Sequence, residues 1–290
     1  MSPKPECVWA VEAELGEGPL WWPRDQGLWF VDIKQKRIHR FDPNTARGRS
    51  WTAPAPPGFL APLPNGQFIA GLMTGLHTFD PAAGTFTLRH TVERHKPGNR
   101  LNDGAVDGQG YLWFGSMDDG EKHPSGCLHR LEDSGPREID PGYVITNGPA
   151  FSPDGRTLYH TDTLERVIHA FDLGPRGQLA NKRVFVTIED GAGYPDGPTV
   201  DSEGCLWTGL FAGWAARRYS PQGELLMEVR FPCANVTKIA FAGADLRTVY
   251  ATTARKGLDA AARAAQPLAG ALFRFEVDVP GQPQREVLHG

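Results

Sequence analysis

The chain has 290 residues, 40% of them hydrophobic and 22% charged, with a formal net charge of −4. That balance allows a sizeable buried core and excludes a general electrostatic attraction to nucleic acid or to an anionic membrane. The 34 glycines and 25 prolines are spread along the chain, which points to many tight turns and away from a low-complexity tract.

The first residues, Met1 to Cys7, show no basic segment followed by an apolar one. No later run reaches the roughly 18 uninterrupted apolar residues of a spanning helix. Cys7, Cys127, Cys205 and Cys233 lie far apart with no C-x-x-C pair, which favours reduced thiols over a disulfide framework or a thiolate zinc site. A cytoplasmic protein is the expectation.

Taken in chain order, a short apolar strand recurs: Leu28-Trp29-Phe30, Phe68-Ile69-Ala70, Leu112-Trp113-Phe114, Leu158-Tyr159-His160, Leu206-Trp207-Thr208 and Val249-Tyr250-Ala251. Their first residues are 40, 44, 46, 48 and 43 positions apart, the spacing of one four-stranded propeller blade. Turns rich in Asn, Asp and Gly precede them, such as Pro64-Asn65-Gly66 and Asp107-Gly108-Gln109-Gly110. These residues tolerate the positive φ that tight hairpins need. Only Ala242 to Asp245 is less typical.

A further strand follows each of these, beginning at Ile38, Leu76, Leu128, Ile168, Ala216 and Leu272. Four of its members carry a histidine at one repeat position, His39, His77, His129 and His169, which reads as structural rather than metal-ligating. Six units predict an all-β chain forming a six-bladed β-propeller with four antiparallel strands per blade, a single domain over 1–290. The leading segment Cys7 to Glu12 is expected to close the ring as the outer strand of the last blade.

The innermost strand of each unit begins about ten residues before the apolar anchor, at Glu17, Phe59, Asn102, Asn147, Asp196 and Lys238. Equivalent positions in a radial fold face one axis, so two carboxylates and two carboxamides are expected to converge at one channel mouth. Each Asx-Gly alone reads as a turn. Two converging carboxylates, however, repel unless a cation or a shared proton relieves them. An all-oxygen set of three or four ligands leaves positions for water and substrate, as catalytic metals require. One divalent ion is therefore expected, with Fe²⁺, Mn²⁺ or Zn²⁺ favoured and Ca²⁺ or Mg²⁺ compatible.

The loops rimming that mouth contain Asp32, Met117 to Gly126, Asp162, Ala212-Gly213-Trp214 and Arg255 to Gly270, and the strand entries bring Arg100 and Tyr194. The third and sixth loops are the longest and the lid candidates. No G-x-S-x-G elbow, H-E-x-x-H pair or phosphate-binding glycine loop is present.

At Gly16-Glu17-Gly18-Pro19-Leu20-Trp21, Asn99-Arg100-Leu101-Asn102-Asp103-Gly104, Asn147-Gly148, Pro195-Asp196-Gly197 and Gln266-Pro267-Leu268-Ala269-Gly270 the chain resembles the regucalcin and gluconolactonase family of sugar lactonases, nearly end to end. The resemblance implies a six-bladed propeller. It implies Glu17, Asn147 and Asp196 as metal ligands, Asp196 as catalytic acid/base, and Arg100 and Asn102 as substrate contacts. An acidic residue of the third loop would help hold the sugar, with Asp118, Asp119 and Glu121 all open; Tyr194 joins the substrate-binding set from its place at the mouth. The implied activity is metal-dependent hydrolysis of an aldonolactone, a pentose or hexose derivative such as xylonolactone or gluconolactone, by a monomer that binds neither nucleic acid nor membrane. The alternatives are a less selective esterase or phosphotriesterase on the same site, and a non-catalytic metal-binding regulatory propeller.

Overall fold

A computed structural model describes residues 3–290; Met1 and Ser2, part of the expected 1–290 domain, lie outside the described residues. The described residues form six sheets of four antiparallel strands each, with one short helix, Ala260–Ala265. Five sheets use four consecutive strands, and the sixth recruits the first strand of the chain. That strand, Glu6–Trp9, pairs with Leu272–Glu276 as the outer member of the last blade. The expected closure is therefore present but shorter than Cys7 to Glu12. Glu12 adopts a left-handed φ of 60°, and Ala13 donates its N–H to Gly270 O at 2.9 Å, so the chain leaves the sheet to begin the first blade.

The repeated turns have a physical purpose. Asp25, Asp107 and Asp201 each accept the indole N–H of the tryptophan on the following strand, with shortest distances of 3.1, 2.8 and 3.0 Å to Trp29, Trp113 and Trp207. In the first and fifth blades an arginine of the next strand then grips the same carboxylate, Arg40 at 2.7 Å and Arg218 at 2.8 Å. The acceptor satisfies a buried N–H that would otherwise cost about 1–3 kcal/mol. Between blades, aromatic and aliphatic side chains form the core; Trp29, for example, stacks on Trp51 at 5.1 Å and contacts Phe68 at 4.7 Å.

The inner strands are Gly16–Trp22, Pro57–Pro62, Asn99–Val106, Thr146–Phe151, Tyr194–Val200 and Val236–Ala242. Each loses regular pairing near its start, between Glu17 and Leu20, Pro57 and Phe59, Leu101 and Gly104, Asn147 and Ala150, Pro195 and Pro198, and Val236 and Ile239. Such irregularities re-aim side chains. All six fall at equivalent positions, where each inner strand leaves regular pairing.

Along these strands runs a channel cavity of about 420 Å³, lined in part by the C-terminal residues Gln282 to Arg285. Gln282 Nε2 donates to Phe151 O at 3.0 Å and Val200 O at 3.2 Å, and Val287 N donates to Pro62 O at 2.8 Å. The C-terminal segment thereby ties blades two, four and five together. Among the described residues no helix is long and apolar enough to cross a membrane.

Candidate active site

The irregular starts of the first and fifth inner strands bring two carboxylates together. Glu17 and Asp196 are 4% and 6% exposed, and the two carboxyls are close enough to perturb each other's ionisation. Burial, with the neighbouring Asp103 charge second, pushes the Glu17 carboxyl up to about 7. Burial followed by the Glu17 charge holds Asp196 well above the ordinary carboxylate range. Two acids so placed do not both ionise unless a cation joins them.

Asn147, at the equivalent start of the fourth inner strand, offers a neutral oxygen. Its Nδ2 donates to Thr163 Oγ1 at 2.9 Å, which fixes the amide orientation. Its Oδ1 accepts from Asn102 Nδ2 at 3.1 Å, and a carbonyl oxygen retains a second lone pair. Two buried, mutually repelling carboxyls and an oriented amide oxygen suit a hard or borderline divalent ion. The donor set fits the expected metal.

Two glycines are required by this packing. Gly148 sits at φ 90°, where a Cβ would lie 2.9 Å from Pro198 Cγ; at Gly197 a Cβ would meet Lys238 Cδ at 2.6 Å. The residues after Asn147 and Asp196 must therefore be small, which accounts for Asx-Gly at both positions.

Asp103 and Lys238 are an unanticipated pair. The Lys238 ammonium contacts both Asp103 oxygens at 2.6 and 2.7 Å, and Asp103 accepts the Gly148 N–H at 2.8 Å. Lys238 therefore makes its direct contacts with Asp103, and its charge opposes the rise at Glu17 without cancelling it. Phe59, equivalent to these residues in the repeat, does not join them. Its ring fills the space over Gly71 and Gly104 and packs near Phe114 at 5.9 Å.

Arg100 is 3% exposed and spans two members of the site. It donates through Nε to Asp119 at 2.8 Å and through Nη1 to Asn102 Oδ1 at 2.5 Å. Burial draws the guanidinium below its ordinary value, and Asp119 opposes the shift. Asp119 also accepts from Lys34 at 2.7 Å.

The third-loop acids thus separate by what they touch. The Asp118 carboxylate is consumed by its own loop, accepting N–H groups of Gly120, Lys122 and His123 at 3.0–3.2 Å, and these bonds, led by those from Lys122 and His123, hold it at about 2. Glu121 pairs with Lys256 and so joins the third loop to the sixth. Tyr194 is half-buried at the rim, its ring 4.7 Å from the Arg166 guanidinium. Asp32, expected on the rim, is fully buried and accepts the N–H groups of Glu14, Leu15 and Gln35.

Lys238 was legible as an inner-strand start, but its partner Asp103 was hidden because the irregular strand buries two consecutive polar residues, Asn102 and Asp103, where strict alternation allows one. The signal for Asp103 was the run Asn102-Asp103-Gly104, with two polar residues before Gly where the first and fifth blades carry one, Glu17 and Asp196.

Residues 15–255 match the family described as SMP-30/Gluconolactonase/LRE-like region. The chain is 35% identical over 281 residues to a 6-deoxy-6-sulfogluconolactonase of Pseudomonas putida, covering 95% of this chain and 96% of that one. It is 36% identical over 264 residues to an L-arabinolactonase of Azospirillum brasilense, covering 89% and 87%. Among solved structures, a calcium-binding protein, regucalcin, of Agrobacterium tumefaciens superposes with a TM-score of 0.94 at 27% identity, covering 99% and 97%.

Proposed function

The chain belongs to the SMP-30/gluconolactonase/LRE-like family, and from that premise we propose that it hydrolyses a sugar lactone, a five- or six-carbon aldonolactone such as xylonolactone or gluconolactone, to the aldonic acid. The observation that carries this reading is the buried Glu17–Asp196 pair beside the oriented Asn147 amide. The names of the lactonase relatives support the substrate class.

A divalent ion held by Glu17, Asn147 and Asp196 would supply charge neutralisation and Lewis-acid polarisation of the lactone carbonyl. Asp196 takes a proton from the attacking water as hydroxyl adds to the carbonyl carbon. The ring C–O bond then breaks, and Asp196 returns the proton to the ring oxygen, leaving a free hydroxyl and a carboxylic acid.

Arg100 and Asn102, linked to each other and to Asp119, orient the sugar hydroxyls, with Glu121 and Tyr194 at the rim. Asp118 acts on the sugar only by shaping its loop. All four cysteines are free, as a reducing cytoplasm would keep them; the reading is of a cytoplasmic monomer acting on a small molecule.

A panel of five- and six-carbon aldonolactones, each assayed above its spontaneous opening with Fe²⁺, Mn²⁺, Zn²⁺, Ca²⁺ and Mg²⁺, tests the proposal. Acceleration of at least one lactone is expected. The regucalcin likeness favours a second reading, a metal-binding regulatory propeller; ion binding with no acceleration of any lactone would establish that reading instead.

A further inference from the structure

A second set of cation ligands lies away from the channel mouth. Glu93 is in the connection between blades two and three; His129 lies on the third strand of blade three, opposite Glu138 on the outer strand. One ligand atom of each falls within 4.8 Å of the others. Two carboxylates alone would mean little, so the histidine decides.

His129 is 1% exposed, and its ring stacks on Phe114 at 5.1 Å with 6° between planes. Its Nδ1 is 3.1 Å from Cys127 O. A carbonyl oxygen only accepts, so Nδ1 carries the hydrogen and, in the neutral imidazole that ligates metals, the lone pair lies on Nε2. That nitrogen is buried without a hydrogen-bond partner and faces Glu93 Oε1 at 3.7 Å. A lone pair aimed at a carboxylate gains nothing unless a cation stands between them. One ring nitrogen held by a backbone carbonyl, with the other offered to carboxylates, is the arrangement found behind metal-bound histidines.

The cation now closest is the Lys96 ammonium, 2.6 Å from Glu93 Oε1 and 3.7 Å from Glu138 Oε1. It satisfies the carboxylates and leaves the imidazole unpartnered. Against the structural reading that the repeat gives His129, we propose that Glu93, His129 and Glu138 form a second divalent-metal site, for a borderline ion of the Zn²⁺ class, which displaces the Lys96 ammonium. Mixed imidazole and carboxylate ligands suit such ions, with water completing the shell. Asn99, which donates to Glu93 Oε2 at 2.7 Å, immediately precedes Arg100, so an ion here anchors the strand that delivers Arg100 to the channel.

Zn²⁺ binding to the full chain is measured by calorimetry in a Glu17→Gln background, which weakens the channel site and makes the result independent of turnover. One ion per chain is expected. Glu138→Gln, at a half-exposed position that the fold tolerates, should weaken it at least about tenfold, as should His129→Asn. Lys96→Ala should strengthen it. With Cu²⁺ as probe, pulsed EPR should show imidazole nitrogen that disappears in His129→Asn. Zn²⁺ affinity unchanged in both Glu138→Gln and His129→Asn, or an imidazole signal that persists in both, would show binding by surface histidines and overturn the site.

Discussion

Lys238 and Asp103, separated by 135 positions, close a buried ion pair across the channel at 2.6 Å. The same Asp103 carboxylate accepts the N–H groups of Gly104 and Gly148, both at 2.8 Å. One side chain therefore joins the inner strands of the third, fourth and sixth blades, next to Asn147.

Removing the cation from that pair should be costly. Lys238→Met leaves Asp103 charged and buried with only backbone donors, and a broken buried pair costs roughly 3–5 kcal/mol. Chemical denaturation should report that loss, and adding Asp103→Asn to the same chain should recover part of it. A single variant within about 1 kcal/mol of the parent would show that the pair does not hold the blades.

Metal content tests the Glu17 assignment. Glu17→Gln removes one of two carboxylates and keeps an oxygen, so the ion should be held much more weakly at the mouth, with the fold retained. Elemental analysis after dialysis, on a His129→Asn background to silence the second site, provides the measurement. Full occupancy in the variant would place the ligands elsewhere.

Asp196 is asked to move a proton, help worth about 10²–10⁴ in rate. Asp196→Asn keeps an oxygen ligand and removes the base. At saturating metal it should hydrolyse aldonolactones at least about a hundredfold more slowly than the parent. Near-parental turnover would leave the metal without an acid/base partner in Asp196.

His160 predicts an acid sensitivity unrelated to the site. It is fully buried with both ring nitrogens unpartnered, set edge-on to Tyr143 at 4.9 Å, and burial pushes it down to about 3 from 6.5. As pH falls below 6.5 the unfolded chain takes up a proton that the folded chain refuses, so stability declines through that window by up to about 1.4 kcal/mol per pH unit. His160→Phe should lose less stability than the parent between pH 7.5 and 5, as read from thermal melts at both values. Equal losses would assign the acid sensitivity to other groups.

The propeller was legible because its signals are local. A strand of Leu28-Trp29-Phe30 type after an Asp- and Gly-bearing turn is specified by dihedral preference and alternation within a dozen residues, and the repeat multiplies it six times. Glu17, Asn147 and Asp196 were legible as one repeat position, and the ring-closing strand as a seventh, unmatched segment. The glycines after Asn147 and Asp196 looked like turn residues, whereas Gly148 and Gly197 are set by the approach of Pro198 and Lys238.

The sequence by itself determined the blade count and the strand order, because each follows from a period along the chain, and it proposed which positions face the channel mouth. Only the tertiary structure decided which side chains meet there. It turned Phe59 between two blades, Asp103 toward Lys238, Asp118 into its own loop and Asp119 toward Arg100. It also set His129 against two carboxylates from neighbouring segments. The physical reason is common to all five. An irregular strand or loop breaks the alternation that predicts direction, and the direction taken then depends on a charge, a hydrogen bond or a cavity supplied by residues distant along the chain.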